Sequence, residues 1–349
     1  MSEQHREEII RQMPKVDLHL HLDGCVGPAT LLELAREQGA ELPASEPEGL
    51  LPYMQVQDDC GSLAEYLSKF DFVLPLLQTP EALIRTAYET VKHCSAHNCK
   101  YVEVRFGPQL HRAKGLSAGD AIRYVLEGLQ LGEREFGVMA RAIAICMRSH
   151  SAEQNLEVVE AASKYVGHGV AAVDLAGDEA SFPAGLSRDV FALAKRCGIP
   201  VTIHAGEAAG PDNIREAITN LGATRIGHGV RMRENGDVMK LVQGRGITLE
   251  MCPLSNIQTK AVRGWEDYPI REYFDAGYRV TVNTDNPTVS GTTITREYEW
   301  LAERFAFTPQ ELARLVMNGV DAAFLNNEEK EALRRQFIRR FNEMGLVIG

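Results

Sequence analysis

Apolar and polar residues alternate, or β-branched residues cluster, in eight short segments along the chain: 15–21, 100–106, 140–146, 170–175, 200–204, 225–229, 246–251 and 279–283. Each reads as a strand. Between most of them the apolar residues recur every three to four positions, as in 156–165 and 187–196, which predicts helices. Strands alternating with helices imply parallel βα units, and eight of them predict an α/β fold of the (β/α)8, or TIM, barrel type.

One connection departs from that rhythm. Roughly 75 residues separate the first and second strands, far more than a βα loop needs. Within this insertion (roughly 28–98), segments 62–70 and 79–88 have helical periodicity, with Thr79 as N-cap and Pro80 at the first helical position. It leaves the first strand at the end of the barrel where active sites form, which predicts a lid that excludes water or, equally, a packed peripheral subdomain. From Thr308-Pro-Gln-Glu311 a capping-box pattern opens a charged helical tail (308–345), read as terminal packing. No linker or repeat marks a second domain, so 1–349 reads as one barrel domain.

The composition narrows the function classes. The chain has 349 residues, 44% hydrophobic and 24% charged, enough for a large core. A formal net charge of −11 argues against a nucleic acid or an anionic membrane as partner and is neutral toward a small uncharged substrate. Residues 1–15 contain no apolar run, and no stretch approaches the roughly 18 apolar residues of a membrane span, so no signal peptide and no membrane partner are expected. Seven scattered cysteines without a Cys-x-x-Cys pair fit a reducing cytoplasm.

The ends of the predicted strands carry the chemistry. They read His19-Leu-His21-Leu-Asp23-Gly24, Asp174-Leu-Ala-Gly177-Asp-Glu179, His204-Ala-Gly-Glu207, Gly227-His228-Gly229, Cys252-Pro-Leu-Ser255-Asn256 and Thr284-Asp285-Asn286-Pro287. His19 and His21, two apart on a strand, point to one face and reach a common ion. Four of the ten histidines fall at three such ends. His19, His21, His204 and Asp285 supply three nitrogens and one oxygen, a set suited to zinc, with iron or cobalt as alternatives. An ion there yields a nucleophilic water near neutral pH. Glu207, three residues after His204, is placed for proton transfer, for capping the helix that follows, or for both, and His228 for holding the attacking water. Cys25 and Cys252 read as packing residues.

Taken together, five of these motifs resemble the adenosine deaminases of the amidohydrolase superfamily: His19–Gly24, Asp174–Glu179, His204–Glu207, Gly227–Gly229 and Thr284–Pro287. The resemblance implies a mononuclear zinc, one per chain, held by His19, His21, His204 and Asp285. It implies hydrolytic deamination of adenosine, and of 2'-deoxyadenosine, to inosine and ammonia by a metal-activated water attacking purine C6. Glu207, with a raised pKa, would protonate N1, while Asp285 and His228 would deprotonate and orient the water. Substrate contacts would come from His21, from Asp23 (a ribose hydroxyl), from the Gly177 N–H (purine N3) and from Asn286. The family pattern ends Asp-Asp-Pro. Here Asn286 stands at the second Asp, and an amide donates to purine N7 without the protonation a carboxyl needs. Adenine deaminase and aminodeoxyfutalosine deaminase share the metal motifs and remain alternatives, with a silent metal-binding barrel more remote. The partner implied is a purine nucleoside.

Overall fold

A computed structural model describes residues 3–57 and 60–347, so the parts of the terminal and insertion segments at 1–2, 58–59 and 348–349 lie outside the described residues. All eight predicted strands form, each within two residues of its expected limits: β1 (Lys15–His21), β2 (Cys99–Phe106), β3 (Met139–Met147), β4 (Val170–Ala176), β5 (Thr202–Ala205), β6 (Arg225–His228), β7 (Thr248–Met251) and β8 (Arg279–Val282). β1 to β4 and β5 to β8 pair in parallel, in consecutive order. Two seams join these halves into a ring. At one, Val173 bridges Val201 and its N–H donates to Pro200 O at 3.0 Å. At the other, Leu20 bridges Asp285, with His21 N–H donating to Asp285 O and Asp285 N–H to His19 O, both at 2.8 Å. The barrel therefore closes through the backbone of its own metal-motif residues.

Alternation along the strands separates two interiors. On β2, Val102, Val104 and Phe106 face the outer helices, while Tyr101, Glu103 and Arg105 share the opposite face; on β7, Leu249 and Met251 alternate with Thr248 and Glu250. All of these are buried. The barrel thus has an apolar layer outside, beneath the helices, and charged groups inside.

The insertion forms helices Pro28–Gln38, Pro47–Met54, Leu63–Leu67, Phe70–Val73 and Pro80–Ala96. Thr79 caps the last of these, its hydroxyl accepting from Ala82 N–H at 3.3 Å with Pro80 beside it. Val56, Cys60 and Tyr66 bury against Val289, just after β8, and the Tyr66 hydroxyl meets Ser290 Oγ at 2.6 Å. These contacts bring the insertion over the end of the barrel where β1 and β8 stop.

The tail forms two helices, Pro309–Ala322 and Asn327–Glu343, each opened by a capping box. The first packs on the barrel wall. Asn318 donates to Val280 O at 2.9 Å, and at Gly319 a Cβ would run into the Val16 side chain. The tail expected as terminal packing therefore supplies the barrel's eighth outer helix as well as one extra helix. A further helix not expected from the sequence, Glu3–Gln12, precedes β1.

Lys15 is fully buried at the start of β1 and donates to Met13 O at 2.8 Å. Burial lowers its pKa from 10.5 to about 8. Below about pH 8 the lysine is charged in both folded and unfolded chains and its burial cost is felt in full. Between about 8 and 10.5 the folded chain has lost the proton that the unfolded chain still holds, so stability rises with pH. Denaturant midpoints of wild type and Lys15→Met, measured from pH 7 to 10, should shift in favour of wild type as pH rises; a pH-independent difference would contradict this.

Candidate active site

β1, β5, β6 and the segment after β8 deliver four groups to one point. Ligand atoms of His19, His204, His228 and Asp285 all lie within 4.8 Å of one another, and all four residues are buried. His21 joins them from β1: its Nε2 is 3.2 Å from His204 Nε2 and 3.3 Å from Asp285 Oδ1. All the expected metal-ligating residues are thus brought together, with His228 alongside. His19 Nε2, 3.4 Å from Asp285 Oδ1, is buried without a hydrogen-bond partner. Such an orphaned nitrogen, facing other ligand atoms, is what a cation would satisfy. The residues present fit a metal.

A second layer fixes these side chains. His19 Nδ1 meets Glu250 Oε2 at 2.9 Å, and His204 Nδ1 meets Asp174 Oδ2 at 3.0 Å. Arg105 joins the two carboxylates, its Nη2 donating to Glu250 and its Nη1 to Asp174, both at 2.8 Å. Ligating histidines are oriented by such carboxylates. Burial would raise both acids, but the guanidinium and imidazoles facing them hold Glu250 and Asp174 well below the usual carboxylate range. Burial, with Arg105 nearby, lowers His19 to about 4; His204 is raised, Asp174 outweighing its burial. Burial would likewise raise Asp285, but His19, His21 and His228 hold it well below the normal range, and Ser255 donates to its Oδ2 at 2.6 Å.

The backbone is strained where it serves the site. His228 (φ 64°) and Asp285 (φ 62°) occupy the left-handed region, a cost of about 1–3 kcal/mol each for residues other than glycine. Between His204 and His19 there is room only for glycine at 227, where a Cβ would stand 2.9 Å from His19 Cε1 and 3.2 Å from His204 Cα.

The cluster opens into a cavity of about 240 Å³. Asp23, Gly177, Glu207 and Asn286 line it together with His21, His204, His228 and Asp285, so every expected substrate contact reaches it. The insertion contributes Leu63, Tyr66, Leu67, Phe70 and Leu74 to its wall. Glu207 accepts from the Thr259 hydroxyl at 3.0 Å through Oε1, and its Oε2 lies 3.5 Å from His228 Nε2. Burial raises its pKa, His228 opposing and Asp285 adding to the shift. Glu207 does not cap the following helix, Pro211–Thr219, whose N-cap is Gly210 without a side-chain bond. Glu179 holds its loop instead, accepting N–H groups from Gly206, Glu207, Ala208 and Ala209 at 2.7–3.0 Å. Asp23 is raised to about 6 by burial, and Asn286 Oδ1 is buried without a hydrogen-bond partner. Cys252 packs in the interior, as expected, and Cys25 packs half-buried against the core.

Arg105, Glu250, Ser255, Asn256 and Thr259 also support the site, with no role assigned by the sequence pattern. For Arg105 the available signal is charge at alternate positions, with Glu103, inside an otherwise apolar strand, and for Glu250 a lone charge in the short strand 248–251. Asn256 faces His228, its Nδ2 2.9 Å from Nδ1.

Comparison with known proteins agrees in extent. A family model described as Adenosine deaminase matches residues 14–339. An adenosine deaminase of Clostridium botulinum (strain Kyoto / Type A2) is 43% identical over 325 residues, covering 93% of this chain and 97% of its own. One from Haemophilus ducreyi is 43% identical over 340 residues, covering 96% and 98%. The solved structure of an adenine deaminase from Arthrobacter aurescens superposes with a TM-score of 0.86 at 27% identity, covering 95% and 99%.

A Gly227→Ala substitution should push His19 from its place. Metal affinity, measured by chelator competition, should fall by about tenfold or more, as when a ligand's orientation is disturbed. Unchanged affinity would contradict the crowding.

Proposed function

The chain belongs to the adenosine deaminase family, and from that premise we propose how its residues divide the work of converting adenosine and water to inosine and ammonia. The observation that carries the reading is the convergence of the buried histidine–aspartate cluster and Glu207 on one cavity. Identity of 43% to adenosine deaminases against 27% to an adenine deaminase favours the nucleoside over the free base. Among the described residues lining the cavity there is no Lys or Arg, while Asp23, Asp71, Glu207 and Asp285 are present. A 5'-phosphate dianion would meet carboxylates without a counter-charge, so the substrate is a nucleoside, adenosine or 2'-deoxyadenosine, rather than a nucleotide.

We assign His19, His21, His204 and Asp285 to one divalent ion, zinc by its nitrogen and oxygen donors. When bound, that ion supplies a water of lowered pKa. The protein does the rest. Glu207, its pKa raised by burial, donates to purine N1 and makes C6 electrophilic. Asp285, with Oδ2 anchored by Ser255, takes the water's proton, and His228 Nε2 orients the oxygen toward C6. That proton passes to the C6 amino group, which leaves as ammonia when the C6–N bond breaks. Asp23, with His21 beside it, holds a ribose hydroxyl, the Gly177 N–H donates to N3, and the Asn286 amide donates to N7. The insertion helices cover the cavity as a lid that excludes water. All seven cysteines are unpaired, and no described helix is long and apolar enough to cross a membrane, which supports a cytoplasmic setting.

Absorbance assays with adenosine, 2'-deoxyadenosine, adenine, aminodeoxyfutalosine and AMP side by side test the substrate. Adenosine and deoxyadenosine should give the highest kcat/KM; preference for adenine or AMP would contradict the reading. Glu207→Gln should lower kcat by about 10²–10⁴, and near-wild-type turnover would remove the proton donor. Asn286→Ala should lower kcat/KM by about 2–10-fold, one neutral hydrogen bond, with Asn286→Asp retaining activity; no loss in the alanine variant would remove the N7 contact.

A further inference from the structure

We infer that Asn256 is a positioning residue that decides which ring nitrogen of His228 carries the proton. The inference deepens the proposed reaction and rests on it. Asn256 lies in the helix Pro253–Gln258 that follows β7, and neither it nor His228 is more than 1% exposed. Its Oδ1 faces the Cys252 N–H at 3.4 Å and the Tyr268 hydroxyl at 3.2 Å. A backbone N–H only donates, so the carboxamide atom it faces is the oxygen. The other atom, Nδ2, therefore stands 2.9 Å from His228 Nδ1. An amide nitrogen only donates as well, so His228 Nδ1 accepts and carries no proton. In the neutral ring the proton sits on Nε2, which points to Glu207 Oε2 at 3.5 Å and into the cavity.

His19 and His204 are held the opposite way. Their Nδ1 atoms face the carboxylates of Glu250 and Asp174, which accept, so the proton is on Nδ1 and the Nε2 lone pair is free for a cation. These imidazoles crowd one centre, with ring centroids 4.5–5.1 Å apart. Neighbours of opposite hydrogen-bonding character give them opposite tautomers. An amide behind His228 keeps it out of the coordination shell, although its nitrogen belongs to the same 4.8 Å group. The ring then offers the attacking oxygen an N–H donor rather than a basic lone pair.

Histidine ¹⁵N spectra of the protein loaded with ¹¹³Cd test this. In wild type, His228 should show a proton on Nε2 and no cadmium coupling, while His19 and His204 show Nδ1–H and coupling at Nε2. Asn256→Asp replaces the donor with an acceptor. It should move the His228 proton to Nδ1 and lower kcat of the zinc-loaded enzyme about 100-fold or more, with KM within about threefold. A proton on His228 Nδ1 in wild type without cadmium coupling overturns the inference alone. Cadmium coupling at His228 overturns the ligand assignment of the proposed reaction, and this inference with it. An unchanged tautomer in Asn256→Asp also overturns the inference. The wild-type spectrum decides even if the variant does not fold.

Discussion

The guanidinium of Arg105 is the interaction on which the site depends. It lies fully buried between Glu250 and Asp174, and each of those carboxylates holds the Nδ1 edge of a histidine. Arg225 extends the network toward the floor of the barrel, pairing with Glu250 and Glu103. Buried charges persist only when each is paired and hydrogen-bonded, and removing one partner costs about 3–5 kcal/mol. Glu250 is held by two arginines and also accepts from the Thr202 hydroxyl at 2.8 Å. The network is thus a rigid base, and its two carboxylates determine where His19 and His204 point.

Above that base the fold accepts strain and crowding to bring the remaining groups together. The barrel seam between β1 and the segment after β8 runs through the backbones of His19, His21 and Asp285, so closing the ring and assembling the site are one event. Asp285 and His228 hold left-handed backbone conformations, and Gly227 lets two imidazoles approach. A side chain at 227, or a shift in the seam, would disturb members of the cluster that are far apart in the chain.

Much of this was legible in the sequence. Period-two and period-3.6 patterns located all eight strands because each strand packs an apolar face against helices. The strand-end motifs located the cluster and Glu207 because a barrel gathers its strand ends at one mouth. The supporting layer was not legible. Arg105 and Glu250 are 145 positions apart, and nothing local says that they meet. The choice between capping and catalysis for Glu207 depended on Glu179, which takes up the loop's N–H groups from 27–30 positions away. The break in the tail after Ala322 has a local signal, the Asn326–Glu329 capping box, whereas the packing of the first helix on the barrel wall, through Asn318 and Gly319 against Val280 and Val16, has none.

With the buried base aiming His19 and His204, and His21 and Asp285 brought in at the β1 seam, three histidines and one aspartate face the place of a single ion. Diffraction at the zinc absorption edge, from crystals of the zinc-loaded protein, tests it most directly. The account predicts one anomalous peak at about 2.0–2.2 Å from Nε2 of His19, His21 and His204 and from a carboxylate oxygen of Asp285, with His228 outside bonding distance. Two peaks, or His228 bound in place of His21, would contradict it.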